Sequence, residues 1–196
     1  LVVTTPELTT AGTSVAVPRT VVRFPSRPVP IDPYVFGVSL GDGCLTQTTD
    51  ISLRVSTTSS ELVGLIRNQG YEVEHRQRVT AYIRSPEAAA AIINRGLNCR
   101  AEAKFIPPEY IFNSEENRWA LLQGLIDTDG YISKDGKTIQ YTTVSSKFAE
   151  GVVSLVRSLG GWAKTTSKIP TYTYLGEKKE GQRAYTVTIS FLEQVP

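Results

Sequence analysis

The sequence predicts an α+β fold made of two pseudo-symmetric αββαββ(α) repeats. The first observation is an apolar run with an inset glycine that ends in Asp-Gly, present at residues 34–43 and again at residues 121–130. The second is a helical pattern that recurs at an offset of 90 residues, in residues 59–71 and 149–161. Period-two strand patterns follow each Asp-Gly run. Repetition on this scale is typical of two equivalent halves packed about a pseudo-twofold axis.

Three parts are predicted along the chain: an N-terminal arm over residues 1–33, a first repeat over 34–113 and a second repeat over 114–196. The arm holds six of the eleven prolines. Because proline removes a backbone donor and fixes φ, these residues favour an extended arm over a helix. A flexible terminal linker fits this composition equally well.

Within the repeats, each element has its own pattern. Ile51, Leu53 and Val55 alternate with polar residues, as do alternate positions of residues 138–143, and both stretches predict strands. The two matched helices both stop at a glycine, which is typical of a helix C-cap. Residues 71–84 predict two further strands in the first repeat, and in the second repeat residues 162–168 and 184–191 do so. A helix over residues 86–96 begins with proline and has no predicted counterpart in the second repeat.

Composition excludes several classes of protein. There is no run of about 18 apolar residues that would cross a membrane. His75 is the only histidine, which excludes multi-histidine metal sites and any Ser-His-Asp or Cys-His site that does not use His75. Cys44 and Cys99 show neither a disulfide framework nor metal-ligand spacing, which indicates a reducing, intracellular setting.

The net charge of +2 conceals an uneven distribution. Residues 131–196 carry nine basic and five acidic groups, whereas residues 31–130 carry nine basic and thirteen acidic groups. The C-terminal excess permits a polyanionic partner without requiring one.

Small residues recur within the two Asp-Gly runs. Gly37 and Gly41 are four residues apart, as are Gly124 and Thr128. Residues of this size at this spacing let two helix backbones approach closely. The runs are apolar on nearly all sides, so we expect two buried helices that pack on each other with their C-terminal ends side by side.

The acids that end these runs carry the predicted chemistry. Asp42 and Asp129 would each face the negative end of a helix macrodipole, which costs about 0.3–1 kcal/mol, and would also repel each other. A divalent cation with hard oxygen ligands would offset both effects, and Mg²⁺ fits this ligand type. Such ions serve phosphodiester hydrolysis. The alternative is that Asp-Gly is merely a turn, as we expect of Asp135-Gly136 between two strand patterns.

At this point the residues show a family resemblance. Residues 122–130, LQGLIDTDG, agree at seven of nine letters with the LAGLIDADG signature of homing endonucleases, a kind often inserted in inteins. The first copy, residues 35–43, keeps Gly37, Asp42 and Gly43, with leucine in place of the first Asp. The segment 103–112 is similar to a Lys-x-Ile-Pro block of intein endonucleases. The resemblance covers about residues 31–191.

The resemblance implies roles for particular residues. Asp42 and Asp129 would be the metal-binding catalytic acids, with the backbone carbonyls of Gly41 and Thr128 completing sites for two or three Mg²⁺ ions at the helix interface. Lys104 matches the family's active-site lysine. Lys168, which also precedes Ile-Pro, is a weaker candidate for the second repeat.

The resemblance also implies that antiparallel sheets form a saddle over double-stranded DNA. Acids are expected to be scarce on the polar strand faces, whose side chains would read bases or meet phosphates. The predicted DNA contacts are Ser52, Arg54, Arg76, Arg78, Tyr82, Arg84, Lys137, Gln140, Thr142, Lys164, Arg183 and Thr186. A solvated polar face is the alternative interpretation.

The predicted function is therefore site-specific, Mg²⁺-dependent double-strand cleavage of a long asymmetric DNA target by an intracellular monomer of phage, bacterial or archaeal origin. A cleavage-deficient maturase or transcription regulator on the same scaffold is the alternative, and a two-lobed domain with another substrate is a third. Leu1 and Pro196 do not provide the terminal residues of protein splicing, so we expect the endonuclease part of an intein or a freestanding relative, with residues 1–33 as a possible link to a splicing domain.

Overall fold

The first half of the chain folds into helices around a small sheet. The computed structural model describes residues 19–49, 51–77 and 79–191, called the described residues below. Short 3₁₀ turns lie at Leu45–Gln47 and Ala101–Ala103. The other elements of this half are α1 (Pro33–Gly41), β1 (Ser52–Ser56), α2 (Ser60–Asn68), β2 (Glu72–Gln77), β3 (Thr80–Arg84), α3 (Pro86–Asn94) and α4 (Pro108–Ile111).

The second half repeats this plan with a longer first helix and more strands. Its elements are α5 (Glu115–Asp129), β4 (Gly130–Ile132), β5 (Ile139–Thr143), α6 (Ser146–Ser158), β6 (Trp162–Lys168), β7 (Thr171–Tyr174), β8 (Glu177–Glu180) and β9 (Ala184–Ser190).

The strands pair antiparallel throughout the described residues. The first sheet has the order β1-β3-β2, and the second has the order β4-β5-β9-β6. Strands β7 and β8 form a separate two-stranded ribbon. The predicted α+β class with antiparallel sheets is confirmed, while the saddle shape stays a prediction. Among the described residues, no helix has the length and apolar character needed to cross a bilayer.

Helices α2 and α6 each make an equivalent hydrogen bond to the strand that follows, which supports the predicted repeat at an offset of 90 residues. Arg67 Nη2 donates to the Val73 carbonyl oxygen at 2.9 Å, and Arg157 Nη2 donates to the Ala163 carbonyl oxygen at 3.2 Å. Each arginine thus lies in the last turn of its helix and binds the strand that follows. An arginine at the equivalent position therefore links the equivalent helix and strand by a hydrogen bond in each repeat.

Two of the differences between the repeats concern their strands. In the first repeat, the position that corresponds to β4 holds a single bridge between Gly43 and Val55. The chain enters the 3₁₀ turn at Leu45 immediately afterwards, so its pairing with β1 does not continue as a strand. In the second repeat, the ribbon β7–β8 is inserted between β6 and β9, where only residues 78–79 separate β2 from β3.

The described part of the arm packs on the second repeat as an extended chain. Val22 N donates to the Ser158 carbonyl oxygen, and Val21 forms a β-bridge with Leu159. Arg118, whose side chain is fully buried, donates from its guanidinium to the carbonyl oxygens of Val22 and Ser158. Residues 19–32 therefore contact α5 near its N-terminal end. Arg118 and Asp129 are about 17 Å apart along the helix at 1.5 Å per residue.

Candidate active site

Helices α1 and α5 touch through their backbones. A Cβ added to Gly37 would lie 2.4 Å from the Leu121 carbonyl oxygen, and one added to Gly124 would lie 2.2 Å from the Tyr34 carbonyl oxygen. Only glycine fits at these two positions. The predicted packing of the two glycine-bearing helices is thereby confirmed, and α1 is buried along nearly its whole length between α5 and the elements of the first half, with Phe36 stacked on Tyr110.

The contact continues one turn further toward the C-terminal ends of both helices. A Cβ on Gly41 would lie 2.0 Å from Thr128 Oγ1. Thr128 Oγ1 donates back to the carbonyl oxygens of Gly124 and Leu125, which holds its side chain against its own helix. Asp42 and Asp129 are the next residues in the chain, so they lie side by side at the C-terminal ends of the two helices.

The two carboxylates interact electrostatically. Burial, followed by repulsion from Asp129, raises the pKa of Asp42, while Lys104 opposes the rise. Burial also raises the pKa of Asp129, again against the opposing charge of Lys104. Asp42 is partly buried and Asp129 reaches solvent, so the pair is open on one side although the chain desolvates it on the other.

Lys104 is the cation that acts on both carboxylates. Its side chain is buried, and Nζ donates to the carbonyl oxygens of Leu40, Gly41 and Gly43 at 2.6, 3.2 and 3.1 Å. An ammonium has three N–H donors, so these carbonyls engage all of them. Burial lowers the pKa of Lys104, while Asp129, the nearby thiols and Asp42 counteract the decrease. Lys104 is thus a fixed positive charge at the C-terminal end of α1, where the macrodipole favours a cation.

The sequence analysis missed two residues at this place. Tyr141 is 1% exposed, and burial together with the charges of Asp129 and Asp42 raises the pKa of its phenol. Ser145 Oγ donates to the Lys104 carbonyl oxygen at 2.7 Å and so fixes the backbone of the lysine to the start of α6. A cavity of ≈ 210 Å³ is lined by Gly41, Lys104, Asp129 and Tyr141, among others. Tyr141 belongs to the apolar face of a predicted strand, and the strand pattern did not indicate that this residue lies beside the two acids.

The donor set fits a hard divalent cation. Two partly desolvated carboxylates at the negative ends of two helices, balanced by one lysine, are stabilised by added positive charge. Among residues 19–49, 51–77 and 79–191, no three or more His, Cys, Asp or Glu side chains lie together as potential ligands. Backbone carbonyls and water would therefore complete any shell. The Gly41 carbonyl already accepts from Lys104, and a carbonyl oxygen has a second lone pair for another partner.

Lys168 does not join this site in the structure. It lies at the exposed end of β6, opposite Ala184. The charge that counteracts the raised pKa of Asp129 comes from Lys104. The two carboxylates thus share one lysine, and the second repeat contributes none from β6.

The polar face of the first sheet carries acids, so the expected scarcity of acids is wrong for this sheet. Strand register places Glu72 opposite Arg84 and Glu74 opposite Tyr82. Glu74 forms an ion pair with Arg84. The acids reach this face because β2 pairs with β3. The alternation of polar and apolar residues within one strand does not show which strand will pair with it.

Other predicted contacts of the first repeat have varied surroundings. Ser52 is buried, and its Oγ lies 3.0 Å from Thr49 Oγ1. Arg54 hydrogen-bonds Gln47 through its guanidinium. Tyr82 is partly exposed on β3. Arg76 lies in β2, but its side chain is outside what the structure describes, as is the whole of Arg78.

The polar face of the second sheet brings four of the predicted DNA contacts together, and their contact with DNA stays a prediction. The register aligns Gln140, Thr188 and Lys164 in one row and Thr142, Thr186 and Thr166 in the next. No acidic residue lies in the paired positions of β4, β5, β6 and β9. The remaining predicted contacts, Lys137 and Arg183, are exposed in the connections that lead into β5 and β9.

Comparison with known proteins supports the resemblance. Residues 116–192 match the family described as LAGLIDADG-like domain. The resemblance predicted from residues 122–130 is therefore confirmed for the second half of the chain.

Three relatives extend the comparison. The chain is 28% identical over 167 residues to the replicative DNA helicase DnaB of Mycobacterium intracellulare, covering 85% of this chain and 25% of the helicase. It is 33% identical over 108 residues to an uncharacterized protein of Methanocaldococcus jannaschii, covering 53% of this chain and 11% of that protein. It is 34% identical over 90 residues to the homothallic switching endonuclease of Saccharomyces cerevisiae, covering 42% of this chain and 15% of the endonuclease. The chain thus spans a quarter or less of the length of these relatives.

Proposed function

We propose that this chain, which carries a LAGLIDADG-like domain, is a homing-type endonuclease that makes a Mg²⁺-dependent double-strand break in a long, asymmetric DNA target. The observation that carries the proposal is the meeting of Asp42 and Asp129 at the ends of two backbone-packed helices, beside the buried charge of Lys104. Similarity to a protein named an endonuclease supports the same activity.

The carboxylates, the backbone carbonyls and the lysine of the site would each have a separate role. The carboxylates of Asp42 and Asp129 would hold the ions and accept hydrogen bonds from water, and the carbonyls of Gly41 and Thr128 would add ligands. When bound, Mg²⁺ supplies Lewis-acid activation for phosphodiester hydrolysis. Lys104 would act through its field, because its three donors are engaged, and would stabilise negative charge that develops on the phosphate.

DNA would lie across the polar sheet faces. The second sheet offers Gln140, Thr142, Lys164 and Thr186 on a face whose paired strand positions carry no acid, which suits base edges and phosphates. The first sheet offers Arg54 and Tyr82 beside acids, so we expect the second repeat to contribute more of the phosphate affinity. One chain supplies both halves, and we propose that it acts as a monomer inside the cell, where its DNA target lies.

An origin as the endonuclease part of an intein belongs to the same proposal. The region matched to a protein named a helicase covers 85% of this chain but only 25% of that protein, and the region matched to a protein named an endonuclease covers 42% of this chain and 15% of that protein. A segment shared by proteins of unlike function is expected of a module that can be inserted into different hosts.

A plasmid cleavage assay tests the activity. The substrate is a supercoiled plasmid that carries the uninterrupted coding sequence spanning the site where this segment is encoded, incubated with the protein and Mg²⁺. We expect the parent to linearise it, Asp42→Asn and Asp129→Asn each to nick one strand, and the double variant to leave it intact. Asp135→Asn is the matched control, because Asp135 lies in the exposed turn between β4 and β5.

The possible outcomes separate the proposal from its alternatives. Linearisation by both single Asn variants at the parent rate would refute the role of the two acids. Specific binding of the plasmid site by the parent without any strand cleavage would instead favour a DNA-binding regulator on this scaffold.

A further inference from the structure

The separate ribbon formed by β7 and β8 is inserted between two strands of the second sheet, and the described residues of the first half show no equivalent of it. It continues the β6–β9 hairpin, since Lys168 pairs with Ala184 and Thr171 with Glu180. Two residues of one strand thus face three of the other, which interrupts the ladder between the hairpin and the ribbon. Gly181 N donates to the Pro170 carbonyl oxygen at 2.7 Å and closes its base.

The tip of the ribbon combines backbone strain with exposure. Leu175 has a φ of 52° and is the one non-glycine residue with positive φ in the described part of the chain. Its side chain is 87% exposed. A two-residue hairpin turn with positive φ at both positions favours Asn-Gly or Asp-Gly, and here Leu175 precedes Gly176. Leu175 is thus an apolar residue whose side chain is not buried and whose backbone conformation is unfavourable. This combination points to a contact with another molecule.

The chemistry of the ribbon suits nucleic acid. Tyr172 and Tyr174 lie on one face and are each more than half exposed, and Lys179 Nζ lies 5.0 Å from the centroid of the Tyr174 ring. Residues 168–183 carry four basic and two acidic groups. Proteins that bend DNA insert leucine and similar apolar side chains between base steps in the minor groove.

We propose that the ribbon β7–β8 is an additional DNA-binding arm, with Leu175 as an apolar wedge that enters the minor groove beside the stretch covered by the second sheet. This inference rests on the proposed function, because it takes the second sheet to face DNA. A strand rises about 3.3 Å per residue, so four residues and the turn reach about 15 Å, or about four base pairs of duplex. The arm lengthens the binding site at one end only, because the β2–β3 turn has no such insertion.

Deletion of residues 171–180 tests the arm in the otherwise complete chain. Pro170 and Gly181 are already hydrogen-bonded, so joining them leaves the pairing of β6 with β9 in place. Binding to fluorescein-labelled duplexes of random sequence, 12 to 40 base pairs long, is measured in EDTA at low salt. We expect about tenfold weaker binding and an occluded length about four base pairs shorter.

Leu175→Asn tests the wedge while relaxing the backbone. We expect at least threefold weaker DNA binding with equal or higher thermal stability. Ile93→Asn, which removes a partly exposed apolar side chain from α3, is the matched control and should bind as the parent does. Unchanged affinity and occluded length in the deletion variant would overturn the arm, and unchanged affinity of Leu175→Asn would overturn the wedge. Both results are independent of plasmid cleavage, so neither is confused with failure of the proposed nuclease activity.

Discussion

Gly37 and Gly124 meet across the α1–α5 contact so closely that a Cβ added to Gly124 would lie 3.1 Å from Gly37 Cα. The two helices therefore pack by backbone rather than by side chain. This approach positions Asp42 and Asp129, because each acid follows its glycine by five residues on a helix whose rise and rotation are fixed. Stability and site geometry consequently depend on the same pair of residues.

Gly124→Ala is expected to destabilise the protein by about 3 kcal/mol or more, because the new methyl group would meet backbone atoms that cannot move aside. The measurement is the free energy of unfolding from urea denaturation. Gly64→Ala in α2 is the control, since nothing lies within 4 Å of its added Cβ, and it should stabilise the protein by about 0.5–1 kcal/mol. Equal effects of the two substitutions would contradict the close packing of α1 on α5.

Asp42→Asn is expected to raise the free energy of unfolding at pH 7 by about 0.3–1 kcal/mol, the cost of a charge at the wrong end of a helix. The folded-state pKa of Asp42 lies above its ordinary value of 3.8, so the folded protein binds the proton more tightly than the unfolded chain does. Stability of the parent therefore falls as pH rises through the folded pKa. The gain from Asn should vanish at about pH 3, below the unfolded pKa. The measurement is thermal unfolding of the parent and of Asp42→Asn between about pH 3 and pH 7. A stability gain that did not change with pH would contradict the raised pKa of Asp42.

Mg²⁺ is expected to stabilise the parent at pH 7, because the ion offsets the repulsion between Asp42 and Asp129. A ligand at 100 times its dissociation constant adds about 2.7 kcal/mol to the free energy of unfolding. The Asp42→Asn/Asp129→Asn double variant should gain nothing beyond what NaCl of equal ionic strength provides. Equal gains in the parent and the double variant would show that the ion binds elsewhere.

Arg118→Met is expected to cost about 3 kcal/mol, since each buried carbonyl that loses its donor costs about 1–3 kcal/mol. Arg118 binds the carbonyl oxygens of Asn113 and Ser158 at 3.0 and 2.7 Å and also reaches Val22. Limited proteolysis should therefore cut residues 19–32 faster in this variant. Arg157→Met, which removes one bond to Ala163 from an exposed side chain, should cost about 1 kcal/mol and leave the arm protected.

Much of the site was predictable because its signals are local. Small residues four positions apart indicated the helix contact, and the acid that follows each helix indicated the carboxylate pair. Arg67 and Arg157 were matched by offset alone, and each makes the same contact with its strand. These features depend on helix periodicity, which a linear sequence displays directly.

Other features depend on which segments meet. The fixed charge of Lys104 requires three carbonyls that lie 61 to 64 residues away in the chain. Tyr141 comes to line the same cavity as Asp129 only when β5 packs against α5. The acids of β2 reach the polar face beside Arg84 through strand register, which is set by pairing.

The linear order of residues was thus sufficient for the α+β class, the repeat and the identity of the two acids, because periodicity and small-residue spacing act over a few positions. Tertiary structure alone decided that one lysine serves both acids, that the two sheet faces differ in charge, and that a separate ribbon is inserted between β6 and β9. These outcomes arise from contacts between distant segments, whose register and mutual distances no local pattern specifies.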